Sequence, residues 1–112
     1  MSATIKQKRI ESTKWTQASE GQPCTLEIPG VCNYNNETTV PCHLPSEIKG
    51  TGYKSDDISI VDGCKACHAA IDGSWTEATG GQYNAEDKLY FMLRALQRTL
   101  RNRHERGIFV IE

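Results

Sequence analysis

"GCKACHAAIDG", residues 63–73, sets Cys64 and Cys67 with two residues between them, His68 directly after the second, and Asp72 four further on. A C-x2-C pair at the entrance to a helix offers two thiolates to one ion, and a tetrahedral zinc site asks for two more ligands. The stretch therefore reads in three ways: one metal, two metals, or a tightly packed turn. The choice separates a zinc-stapled binding module from an enzyme.

Two further cysteines, Cys24 and Cys32, flank the "PG" turn at 29–30, and their seven-residue separation lets the chain bring them together. The N-terminal "MSATIKQKRIESTKW" has no apolar h-region, so no secretory signal is expected and the cytoplasm is the expected compartment. A reducing compartment disfavours disulfides. Zinc is then the better reading of Cys24, Cys32, Cys64 and Cys67 than two crosslinks, and Cys42 is left over as the odd thiol. Buried inert cysteines are the bland alternative. At 112 residues the chain fits one domain, 1–112, with a core small enough to benefit from a metal staple. No apolar run approaches the length a membrane helix needs, so no membrane partner is expected.

The net charge of −1 conceals a segregation: residues 1–19 carry +3, residues 20–87 carry −8 and residues 88–112 carry +4. Basic ends around an acidic middle suit a site gripped onto a polyanion by its edges; a solvated Arg-rich helix face explains the C-terminal part equally well. Arg94, Arg98 and Arg101 fall on one helical face, and Lys6, Lys8 and Arg9 cluster near the start. These six are the expected phosphate-binding residues, the partner being nucleic acid and DNA in the first instance.

The expected elements follow from pattern and punctuation. Ser12 caps a short helix that Gly21 stops. "CTLEI" (24–28) alternates like a strand and "TTVPCHL" (38–44) reads as its return, with Pro41 marking an edge or an end. "ISIV" (58–61) is a short strand, "KACHAAID" (65–72) a helix stopped at Gly73, and "SWTEATGGQY" (74–83) a loop. Asn84 caps a long basic helix, 84–106, with Leu89, Met92, Leu93, Leu96 and Leu100 as its buried stripe. "IFVIE" can close as a strand. The fold class is α+β: a zinc-stapled core over 24–73 between a short N-terminal helix and a long C-terminal one.

His68 and Asp72 share one helical face and can ligate one divalent ion together, while the adjacent Cys67 points elsewhere. His43 ends the strand "TTVPCHL" and can face that ion or a water beside it. Taken singly, each is more often an ordinary surface residue; together they have the order a ββα-metal site needs.

"CTLEIPGVCN", "ETTVPCHL" and "GCKACHAAIDG" in this order resemble the HNH (ββα-metal, treble-clef-like) nuclease family, most nearly its small prophage-encoded YbcO type. The resemblance covers residues 24–73, about half the chain. It implies that His43 is the general base activating water, that His68 is a catalytic metal ligand and that Asp72 stands where a second ligand sits. Asp57 lies near the place of the family's base-orienting Asn, offset by about two residues. Cys42 departs from the Asp or His often found before the base, and Glu37 is a weak substitute ligand. The implied cofactors are a structural Zn²⁺ and a catalytic divalent ion, Mg²⁺, Mn²⁺, Ni²⁺ or Zn²⁺. The implied setting is a bacterial host cell, in phage recombination or repair; a homodimer is admissible. The rivals are a non-catalytic zinc module binding DNA or protein, a factor specialised for branched DNA, and an acidic DNA mimic.

Overall fold

The computed structural model describes residues 8–45 and 55–112. Lys6 and most of the loop expected at 45–57 lie outside the described residues. The element order is α1 (Thr13–Gln17), β1 (Val40–His43), β2 (Ile60–Gly63), α2 (Lys65–Asp72), α3 (Trp75–Thr79) and α4 (Ala85–Glu105), with short 3-10 turns at Asn36–Thr38 and Asp57–Ser59. β1 and β2 pair antiparallel, Val40 opposite Gly63 and His43 opposite Ile60. The chain thus runs strand, strand, helix into α2, and α4 packs across β2.

The strand expected at 24–28 is not one. Glu27 has a φ of 39°, which breaks any extended run. The carbonyls of Thr25, Leu26 and Glu27 accept from Arg98 and Arg94 of α4 rather than from a ladder. The Ile28 carbonyl accepts from the backbone of Val31 and Cys32, closing a tight knuckle. Of the expected strand 38–44, Val40–His43 pair with β2, which begins two residues later than "ISIV" suggests. Gly63 makes the approach of knuckle to strand possible, since a Cβ there would stand 2.6 Å from Cys42 Sγ and 2.9 Å from Leu26 Cδ1.

The helix starts are as the capping residues predict. Ser12 accepts from Trp15 N–H, and Asn84 and Asp87 form a reciprocal capping box on α4. Cys64 is itself the N-cap of α2, its sulfur accepting from Cys67 N–H at 3.3 Å. α2 ends at Gly73, where a Cβ would lie 2.9 Å from the Ala69 carbonyl oxygen. α1 ends earlier than Gly21, which instead closes the turn after it with a φ of 73°. α3 replaces part of the expected loop. Ser74 caps it, and Trp75 anchors it by donating from Nε1 to the Tyr83 and Asn84 carbonyls. Residues 108–112 form no strand: the sheet of the described residues has two members and neither edge reaches them. Phe109 stacks on Trp15 instead.

The buried face of α4 is also rotated from the expected one. Of the expected stripe Met92 is buried and Leu96 packs against the core, whereas Leu89 and Leu93 are 62% and 55% exposed; Phe91, Ala95, Thr99 and Arg103 complete the buried face. An arginine and a threonine occupy the inner face because β2 offers them polar partners. Thr99 Oγ1 accepts from Asp62 N–H and bonds Thr25 Oγ1. Arg103, fully buried, donates to Asp62 Oδ1, Ser19 Oγ and the Trp15 carbonyl, and its guanidinium lies over the Trp15 ring. One ion pair thereby joins α4, β2 and the segment after α1.

Breaking one side of a buried pair leaves a charge without water or partner. Arg103→Met is expected to cost about 3–5 kcal/mol, measured by urea unfolding at fixed zinc. The double change Arg103→Met with Asp62→Leu is expected to recover much of that loss, because neither charge is then buried alone.

Candidate functional site

The sulfur atoms of Cys24, Cys32, Cys64 and Cys67 all lie within 4.8 Å of one another. A zinc–sulfur bond of about 2.3 Å places tetrahedral sulfurs about 3.8 Å apart, and Cys64 Sγ and Cys32 Sγ stand 3.9 Å apart. Three of the four sulfurs also accept a backbone N–H: Cys24 from Glu27, Cys32 from Tyr34 and Cys64 from Cys67. Such donors stabilise thiolates and fix their direction. The four residues fit a structural zinc.

Without a cation the cluster cannot ionise evenly. The Cys24 thiol is pulled down to about 5 by the hydrogen bond from Cys67 and by backbone N–H groups, against the effect of burial. Cys67 is pushed up, first by that same bond and then by burial. Burial pushes Cys32 up to about 12. One thiolate satisfies the apolar pocket; four need a divalent charge among them.

Cys42 stands apart. Strand alternation turns it into the core, fully buried, while its neighbour His43 faces the other way and is partly exposed. Its thiol donates to the Val40 carbonyl, and burial holds its pKa well above the ordinary value. Cys42 is core packing.

His43 Nε2 lies 2.9 Å from Asp57 Oδ1. Arg9 donates to the same oxygen at 2.7 Å, and Ser12 N–H donates to Asp57 Oδ2 at 2.7 Å. The segment 9–12 is docked on the 3-10 turn by these bonds, by Arg9 Nε to the Ser55 carbonyl and by Asp57 N–H to the Ile10 carbonyl. Asp57 is held below its ordinary 3.8 by the His43 hydrogen bond, the Ser12 N–H and the Arg9 charge. A lowered carboxylate stabilises the fold fully above its unfolded pKa and loses that contribution as pH falls through the folded value, here below 3.8.

His68 Nε2 and Asp72 Oδ2 are 2.8 Å apart on α2, both reaching solvent. Among the described residues the four cysteines are the only group of three or more ligand atoms drawn together. The structure thus pairs His68 with Asp72 and His43 with Asp57, as two separate couples. Glu37 is exposed in the 33–38 turn, where its backbone N–H donates to Asn35 Oδ1.

The arginines divide. Arg94 and Arg98 donate to the carbonyls of 25–27, and Arg98 also pairs with Glu27 at 2.8 Å. They clamp the zinc knuckle to α4. Arg101 is exposed and pairs only with Glu105 at 3.3 Å; Lys8 is exposed. Arg9, expected among the phosphate contacts, is instead the third member of the His43–Asp57 group. The clamp was missed because helical spacing shows which arginines share a face but not what lies under it. The short helix α3 did carry a signal, the capping-box spacing Ser74-x-x-Glu77.

A family model described as "Putative nuclease YbcO" matches residues 13–108, and the chain belongs to that family. It is 44% identical over 57 residues to "Putative nuclease YbcO" of Escherichia coli (strain K12) and equally to "Putative nuclease ybcO" of Enterobacteria phage 82. Each match covers 50% of this chain and 59% of the relative, so the chain spans less than two thirds of either. A solved structure, "Structure of a putative bacteriophage protein from Escherichia coli str. K-12 substr. MG1655", superposes with a TM-score of 0.62 at 29% identity, over 82% of this chain and 98% of that one.

Purified protein is expected to carry one zinc per chain by elemental analysis. Cys64→Ser should lose the metal and unfold, whereas Cys42→Ala should keep the full zinc content while losing some stability. Zinc loss from the Cys42 variant, or its retention in the Cys64 variant, would contradict the four-sulfur site.

Proposed function

We propose that this chain is a metal-dependent HNH-type endonuclease that hydrolyses phosphodiester bonds in DNA. The observation that carries the reading is the His43–Asp57 contact at 2.9 Å, with the imidazole still reaching solvent. A carboxylate only accepts hydrogen bonds, so Nε2 carries the proton and Nδ1 keeps its lone pair. An imidazole with a free ring lone pair in this position is suited to take the proton of an attacking water. Arg9 holds Asp57 ionised and in place, and so fixes the tautomer of His43 at one remove.

His68 and Asp72 would hold the catalytic ion, Mg²⁺, Mn²⁺, Ni²⁺ or Zn²⁺, with water filling its other positions. When bound, such an ion stabilises charge on the phosphate and on the leaving 3′ oxygen. Arg101 and Lys8 are the exposed cations left for the DNA backbone, together with Lys6 outside the described residues. Phosphate contacts of this kind carry little sequence information and weaken with salt. The names of the relatives, each "Putative nuclease" and one from a phage, support a nuclease activity; the setting that goes with this reading is phage recombination or repair.

A second reading has its own support. Asp57 accepts from Ser12 and Arg9 as well as from His43, so the group can serve only to dock the N-terminal segment on a non-catalytic zinc module.

Nicking of supercoiled plasmid, with each divalent ion and with EDTA, separates the two. Zinc-loaded wild-type protein is expected to nick in a metal-dependent way, and His43→Ala to lose on the order of 10²-fold or more at unchanged zinc content. Asp57→Asn is expected to retain partial activity. Absence of nicking by folded protein with every ion would favour the binding module.

A further inference from the structure

The outward face of α4 carries Leu89, Leu93, Leu96 and Leu100 at spacings of four, three and four residues. Leu89 and Leu93 are more than half exposed, and Leu96 and Leu100 are half-buried. Tyr90, 59% exposed, flanks the row and is backed by the Arg94 guanidinium at 5.6 Å from its ring centre. The adjoining face of the helix is already spent on the core, and Leu96, at the inner edge of the row, packs against it. An apolar seam of this period is the kind that two helices bury between them, and single-chain surfaces seldom leave such a row uncovered.

We propose that the seam is covered by a second copy of this chain, the two α4 helices packing antiparallel about a two-fold axis between Leu93 and Leu96. Charge along the seam selects the occupant and the direction. Glu86 continues the row at its N-terminal end, and His104 and Arg101 lie at its C-terminal end. A parallel pair stacks Glu86 on Glu86. An antiparallel pair sets Glu86 against the basic final turn of its partner, Leu89 against Leu100, and Leu93 against Leu96. The contact is then self-complementary, as a two-fold interface requires. Two such faces bury on the order of 1,000 Å² between them, the lower end for a specific association, so the dimer forms and dissociates with concentration. The seam is separate from the His43–Asp57 group, which lies at the end of β1 and on the turn before β2; Arg101 is the one residue that both readings use, so the dimer is tested without DNA.

Sedimentation equilibrium of the zinc-loaded protein over a hundredfold range of concentration tests it. Wild-type protein is expected to follow a monomer–dimer equilibrium. Leu93→Glu should raise the dissociation constant at least tenfold, with zinc content and circular dichroism unchanged. Glu86→Lys should also weaken the dimer, because only in the antiparallel arrangement does it turn an attraction into a repulsion; a parallel pair would exchange one like-charge contact for another. If Leu93→Glu loses zinc, Leu89→Gln with Tyr90→Ser gives the same readout from more exposed positions. A wild-type protein monomeric throughout overturns the proposal and leaves the seam to a different partner. A dimer untouched by the seam changes places the interface elsewhere, and indifference to Glu86→Lys overturns the antiparallel order.

Discussion

Four sulfur atoms set the positions of almost everything else in this chain. Cys24 and Cys32 come from a knuckle with no regular structure, and Cys64 and Cys67 from the junction of β2 with α2. The knuckle has no ladder to hold it, and its carbonyls would be stranded without arginines reaching from α4. Convergence on a divalent cation would supply free energy that so small an apolar core lacks, and would tie two distant segments of chain into one unit. A cation there would also let four thiols ionise together, where without one Cys24 is pulled down and Cys67 pushed up.

The same cluster sets the geometry of the exposed side chains. Cys67 turns inward toward the sulfurs, so His68, one residue on, turns outward, with Asp72 one helical turn further along. On β1 the alternation works identically: Cys42 fills the core against Gly63, and His43 is delivered to the opposite face. Structural packing and candidate chemistry thus occupy alternate residues of the same short elements. A histidine held by two neighbours of this kind moves little, because the strand and the helix that carry it are pinned from behind.

Much of this was legible in the sequence, for reasons that differ by element. The thiol pairing and the caps at Ser12 and Asn84 are local chemistry, and local chemistry survives folding. The knuckle misled because five alternating residues do not by themselves distinguish a strand from a turn; polar Thr25 is buried beside Leu26 and Ile28, and of the five only Glu27 stays half-exposed. The inner face of α4 misled because hydropathy has no way to value an arginine that finds a carboxylate. Arg103 is buried because Asp62 is, and neither residue alone announces the pair. The role of Arg9 was hidden for the same reason: its partners are 34 and 48 residues away.

That error on α4 has a physical consequence beyond the helix itself. A sequence reading assigns the leucine row to the core because a row of that period is normally buried. The chain instead spends its inner face on Thr99 and Arg103, whose hydrogen bonds to β2 offset what two more leucines would have contributed. Had the leucines faced inward, Asp62 would lie unpaired beneath them and the clamp of Arg94 and Arg98 on the knuckle would point to solvent. The rotation of α4 is therefore imposed by the polar requirements of β2 and of the zinc knuckle, and the exposed seam is what remains. One helix answers two demands in this way: its arginines fasten the metal site from outside, and its leucines are left free for another surface.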